Sequence, residues 1–230
     1  MDGLTELSDV LGHAASAHDK LKRCAIEGRL RPGRRLIPEA LETHFAISAT
    51  PIRDALVRLA AEGFVTWDPG RGFFAKAFLV EEQLDLYQFL LIVLPSCWDW
   101  SGAGPLIKVV EATTSFQDSF SSPADADAEA WNTAIEHLFA VAAETTQNNM
   151  LRAVARNAVE RTRLVRMLDF QRLETRRHMA EQIAAFAKAA RARDLSQGLA
   201  VANREFESLQ ARLPAIVEQA TWRALHSRFP

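Results

Sequence analysis

Ser48, Thr50 and Arg53 fall within the segment SATPIRDAL, and their types and spacing suit contact with a polyanion. If Ser48 caps a helix with Pro51 in its first turn, the two hydroxyls and the unpaired backbone N–H groups of that turn reach a phosphate or a base edge. Arg53, one turn further in, presents a planar fork that matches O6 and N7 of guanine. Arg34 and Arg35 lie upstream and Arg71 lies downstream in a Pro-Gly-Arg-Gly turn, so these three are expected to clamp phosphates. Enzymatic chemistry has no comparable signature: the chain holds no G-x-S-x-G, no phosphate loop, no G-x-G-x-x-G and no metalloprotease spacing. Its six histidines are scattered.

The elements that must position these residues follow from apolar spacing. Asp19 to Gly28 predicts a helix with Leu21, Ala25 and Ile26 on one face, broken by Pro32-Gly33. Pro38 is placed to open a short second helix through Ala40, Leu41 and Phe45. Ser48 then caps a third helix carrying Ile52, Ala55, Leu56 and Leu59 on one face, which Gly63 ends. FVTWDPGRGFFAKAF reads as two short strands around Pro69 to Gly72, a β-hairpin. Three helices and a hairpin in this order outline a winged helix-turn-helix, in which the third helix enters the major groove and the hairpin is the wing.

From Val80 onward only helical periodicity remains, interrupted at Pro95, at SGAGP and at SSPADAD. Ile183, Phe186, Ala187 and Ala190 space as one buried face, as do Leu199, Ala202, Phe206 and Leu209. The expected fold is therefore mostly α: an extension over residues 1–17, a winged helix-turn-helix over 18–78, and an all-helical body of six or seven helices over 79–230.

Charge is divided along the same line. The chain has 230 residues, 27 basic and 29 acidic, for a formal net charge of -2. Lys20 to Lys76 holds 11 Lys or Arg against 6 Asp or Glu, whereas Leu79 to Pro230 holds 16 against 19. A basic head on an acidic body implies that only the head meets a polyanion. The most apolar run, Phe89 to Leu94, is far shorter than the ~20 residues of a membrane span, and MDGLTELSDV lacks the pattern of a secretory signal. A cytoplasmic protein without a membrane partner is expected. Cys24 and Cys97, distant in sequence, form neither a disulfide framework nor a zinc pattern and read as buried thiols.

The stretch from IEGRLRPGRRL to GRGFFAKAF resembles the DNA-binding domain of GntR-family transcriptional regulators. The likeness combines a Pro-Gly turn before a short helix, the S-x-T-P-x-R-x-A-L pattern of Ser48 to Leu56, the R-L-x-x-E-G ending of Arg58 to Gly63, and the G-R-G-F wing of Gly70 to Phe73. Arg53 and Arg71, which taken singly read as solvated charges, acquire through this resemblance the role of DNA contacts. Two positions depart from the family pattern. Ala49 stands where a second arginine is usual, removing a base contact at a cost of ~1–3 kcal/mol. Glu39 stands where some relatives carry a basic residue.

The helical body is similar to the effector domain of the FadR-like subgroup, with HMAEQIAAFAKAARARD (His178 to Asp194) and NNMLRAV (Asn148 to Val154) carrying the likeness. That resemblance implies a homodimer on a pseudo-palindromic operator, with a small-molecule effector in the body altering operator affinity. It also implies a divalent metal site, here at Asn132, Glu136, His178 and Glu205, in which a neutral Asn weakens binding. The other reading of the four is the polar floor of a pocket. Leu90 replaces an arginine usual in the first body helix, which makes the pocket more apolar. Arg163 and Arg166 are candidates to hold an acidic effector, so an organic acid and an apolar metabolite are the two effector classes in view. Two rival readings exist: a metabolite sensor or scaffold whose head has lost its grip on DNA, and a metal-dependent helical enzyme, which leaves the recognition motif unexplained. The FLLIVL run exceeds what one helix needs for its own core and suits a dimer interface.

Overall fold

The computed structural model describes residues 17–99, 103–119, 122–146 and 148–229. Nearly all of the expected extension 1–17, and the start of SGAGP, lie outside them, as does the side chain of Cys97. The described chain divides into two compact units, one of residues 1–78 and 219–230, the other of residues 79–218.

The first unit is built from three helices and three short strands: α1 (17–26), β1 (Arg35–Leu36), α2 (Pro38–Phe45), α3 (Ala49–Ala61), β2 (Val65–Asp68) and β3 (Gly72–Ala75). Pro38 opens α2, where its missing N–H costs nothing. Ser48 occupies the N-cap of α3, and Ile52, Leu56 and Leu59 are fully buried, giving the helix one apolar and one outward face. Gly63, at φ 80, lets the chain leave α3 in a left-handed conformation disfavoured for other residues. His18 and Lys22 of α1 meet Glu62 at 2.8 and 3.1 Å and brace the carboxyl end of α3.

The sheet order is β1-β3-β2, all antiparallel. Alternation along β3 buries Phe73 and Ala75. β1 pairs Arg35 with Phe74 and Leu36 with Phe73, a third strand too short to show alternation in the sequence. Burial raises the Cys24 thiol to about 11, consistent with a thiol packed in the core.

Residues 219–230 complete this core, which corrects the expected 79–230 body. Phe229 is buried with Leu41, Ile47 and Leu56, lying 4.8 Å from the His44 ring and 5.8 Å from the Phe45 ring. Arg31 donates to the Ser227 carbonyl at 2.9 Å and Arg34 to the Phe229 carbonyl at 3.2 Å, so the tail is held by its backbone as well as its ring.

The second unit is helical throughout its described residues, comprising α4 (Val80–Asp99), α5 (Ala103–Ser119), α6 (Ala128–Thr145), α7 (Asn149–Arg161), α8 (Arg163–Asp169), α9 (Leu173–Ala192) and most of α10 (Leu195–Leu225). Asp127 and Asn148 cap α6 and α7 by accepting from the N–H of Ala130 and Leu151. Pro95, expected to interrupt a helix, lies within α4. Trp131 is wholly buried, with Phe116 edge-on at 5.1 Å and Phe170 at 5.9 Å. Among the described residues no helix is long and apolar enough to cross a membrane.

Removal of the Phe229 ring leaves a hole beside Leu41 and Phe45 that backbone contacts do not fill. Phe229→Ala is expected to destabilise the first unit by about 3 kcal/mol. Amide exchange measured in α2 and α3 should quicken, while exchange in α7 stays unchanged.

Candidate DNA interface and interior cavity

The outward face of α3 carries Thr50 and Arg53, both exposed, with Ser48 at its start. Ser48 makes no side-chain capping bond, so its hydroxyl is exposed together with the first N–H groups of the helix. Arg53 has no hydrogen-bond or ion-pair partner among the described residues. It is exposed on the flank of the face that Ile52, Leu56 and Leu59 bury, and its fork is available to a ligand.

The other expected clamps are more committed. Arg71 donates to Asp68 at 2.9 Å and lies 5.3 Å over the Phe74 ring, which fixes it at the tip of the wing. Arg35 lies against Gly72, where an added Cβ would stand 3.5 Å from its guanidinium. Arg34 is exposed yet gives one N–H to the Phe229 carbonyl, a use of that arginine which its position before α2 does not announce. Glu39 is exposed in the first turn of α2 and Ala49 is partly buried at the start of α3. Trp67 and Val57, 59% and 55% exposed, add apolar surface on the wing and on α3 that the search for charged residues passed over.

The second unit holds a partly open cavity of about 190 Å3. Its wall is largely apolar and includes Leu90, as the departure at that position implied, with Ile135, Phe139, Phe186, Phe206 and Leu209. Its polar lining comprises Tyr87, Thr113, Arg166, Asp169, Gln182, Glu205 and Arg212. Of the six residues expected at an effector pocket, Arg166 and Glu205 line it. Asn132, Glu136, Arg163 and His178 do not.

Arg166 explains that arrangement. Its side chain is 5% exposed and donates to Asn132 Oδ1 at 2.7 Å, Thr162 Oγ1 at 2.7 Å, Glu136 Oε1 at 2.9 Å and the Val159 carbonyl at 3.2 Å. Glu136 also accepts from Arg163, which reaches Glu129 as well. On the other side Arg212 donates to Asp169 at 2.8 Å, to Glu205 at 2.7 Å and to Ser208 at 2.8 Å. His178 Nε2 lies 2.8 Å from the second oxygen of Glu205.

The four expected metal ligands therefore do not form one set: Asn132 and Glu136 are bound by arginines, and His178 pairs with Glu205. Among the described residues no three His, Cys, Asp or Glu side chains are grouped to hold a metal. Burial draws Arg166 below its ordinary pKa, with Tyr87 and Glu136 opposing. Burial also acts against the charge on Arg212, but Asp169 and Glu205 outweigh it and hold that pKa above its ordinary value. Burial pushes the Tyr87 hydroxyl up to about 12, so it is protonated and uncharged at neutral pH.

Residues 13–75 match the family of bacterial regulatory proteins, gntR family. The Nta operon transcriptional regulator of Aminobacter aminovorans is 39% identical over 64 residues, 28% of this chain and 30% of that protein. Similarity in fold runs further. A structure described as a GntR transcriptional regulator from Rhodococcus sp. RHA1 matches with a TM-score of 0.65 at 20% identity, covering 89% of this chain and 98% of that one. E. coli McbR/YncC matches with a TM-score of 0.63 at 19% identity, over 90% of this chain and 97% of that one. The head is thus similar to the gntR-family DNA-binding domain, and the chain shares with these structures the fold of a winged helix-turn-helix followed by a helical domain.

Arg166→Met strands the buried Asn132 oxygen, takes one partner each from the Thr162 hydroxyl and the Val159 carbonyl, and removes half the pairing of Glu136. We expect a loss of about 3 kcal/mol or more in urea unfolding. Arg163→Met breaks pairs that water can reach and should cost under about 1 kcal/mol.

Proposed function

We propose that this chain is a gntR-family transcriptional regulator that binds a pseudo-palindromic operator as a homodimer, with a small molecule in its helical body changing operator affinity. The observation that carries the reading is Arg53, exposed and unpaired on the outward face of α3, in a head that matches the family over residues 13–75. With α3 in the major groove, Arg53 reads a base edge while Ser48, Thr50, Arg35 and Arg71 position the backbone. Arg34, engaged by the tail, contributes charge more than a free fork.

The body is read as a FadR-like effector domain on its helical composition and its largely apolar cavity. In this reading it is the ligand-responsive part, and α10 contributes Glu205, Leu209 and Arg212 to the cavity. Dimerisation is supported by apolar surface on two helices that pack together: Ile92 on α4 is 68% exposed, and Met150 and Val154 on α7 are 74% and 45% exposed. A recognition helix reads only a few base pairs, so a symmetric pair supplies the second half-site. On this reading the protein acts on DNA in the cytoplasm.

A gel shift on DNA from the protein's own upstream region tests this reading. Arg53→Ala should weaken specific binding by about 1–3 kcal/mol with thermal stability unchanged. Unaltered affinity would mean that α3 does not read bases. Ile92→Asp places a charge in the proposed interface, and sedimentation at micromolar concentration should move from dimer to monomer.

A further inference from the structure

We infer that the cavity of the helical body takes a small, uncharged aromatic molecule bearing one hydrogen-bond donor, and discriminates against carboxylates and metal chelates. The inference deepens the effector reading above and rests on it. Size comes first. At about 190 Å3 the cavity is somewhat larger than the ~150 Å3 that accommodates benzene and smaller than the ~300 Å3 at which drug-sized pockets begin. One ring with a small substituent fills a space of this size.

Shape and chemistry of the wall come next. Five of the lining residues are aromatic, namely Tyr87, Phe139, Phe170, Phe186 and Phe206, and Met179 adds a polarisable sulfur. Rings gain from edge and offset contacts with such walls, and thioethers gain from contact with ring edges.

Charge decides between the two effector classes. Two cations, Arg166 and Arg212, and two anions, Asp169 and Glu205, face the cavity, and each is already matched. Arg166 bonds Glu136 and Asn132, and Arg212 bonds Asp169 and Glu205. Asp169 also accepts from Thr175 at 3.1 Å, and Glu205 faces His178. A carboxylate entering this space would have to break one of these pairs and leave its partner buried and uncompensated. A neutral ligand breaks none.

Gln182 supplies the polar contact. Its side-chain oxygen is buried and has no hydrogen-bond partner, and the residue lines the cavity. Buried acceptors of this kind are rarely left unpaired in native structures. A hydroxyl or N–H on the ligand would satisfy it, which selects a donor-bearing ring over a bare hydrocarbon.

Calorimetry on the full-length dimer tests the assignment with phenol, benzyl alcohol, toluene and benzoate as probes, alongside operator affinity in the presence of each. Phenol or benzyl alcohol should bind about five- to tenfold tighter than toluene, the factor for one net hydrogen bond. Benzoate should bind more weakly than both alcohols. Gln182→Leu should bring the alcohols down to the level of toluene while toluene binding is retained, which also shows that the variant folds, and Gln182→Glu should restore the preference for a donor. Benzoate binding as tightly as benzyl alcohol, the same affinities in Gln182→Leu as in the parent, or no binding of any aromatic probe would overturn the assignment. Binding in the expected order with unchanged operator affinity would uphold the ligand class and remove the effector role proposed above.

Discussion

The buried guanidinium of Arg166 is the contact on which the helical body turns. It joins Asn132 and Glu136 of α6, the carbonyl of Val159 in α7, and Thr162 at the start of its own helix, so one side chain fixes three helices around the cavity. A charge so placed is tolerable because each of its three nitrogens finds an acceptor. The same saturation governs function. With Arg166 and Arg212 both matched, the interior carries no uncompensated charge to offer, and selection among ligands falls to ring packing and to Gln182.

The head depends on a different constraint, the division of α3 into two faces. Ile52, Leu56 and Leu59 hold one face in the core, which leaves Thr50 and Arg53 turned outward. Arg71, tied to Asp68 and stacked on Phe74, begins in a fixed position at the wing tip. A residue held in advance loses less entropy when it meets a phosphate. Ala49 and Glu39 work the other way, the first by leaving a recognition position empty and the second by presenting negative charge on α2. Both bear on operator choice and affinity.

Much of the head was legible because its signals are local. Pro38 opening α2, the apolar spacing of α3, and the Pro-Gly-Arg-Gly turn each constrain a few adjacent residues, and the structure follows them. β1 was missed because two residues cannot display alternation. The tail was missed for a different reason. Phe229 and Arg31 are about two hundred residues apart, and nothing in SRFP states that its ring completes a core at the other end of the chain. In the body, helical periodicity revealed the helices and Leu90 announced an apolar wall. The side-chain partners were not readable. Spacing placed Asn132 and Glu136 on one face of α6, but whether a cation or a guanidinium satisfies them depends on where α8 packs, and Arg166 takes that place. His178 and Glu205 are drawn together by α9 and α10, away from that pair.

The central claim is that α3 presents a reading face to DNA in a symmetric pair. Footprinting on the region upstream of the protein's own gene, repeated across a salt series, tests it most directly. The account predicts two protected half-sites centred about one helical turn, roughly 10 base pairs, apart. It also predicts affinity that falls steeply and linearly with the logarithm of salt concentration as phosphate contacts release counterions. A single unpaired patch, or protection that is indifferent to salt, would contradict it.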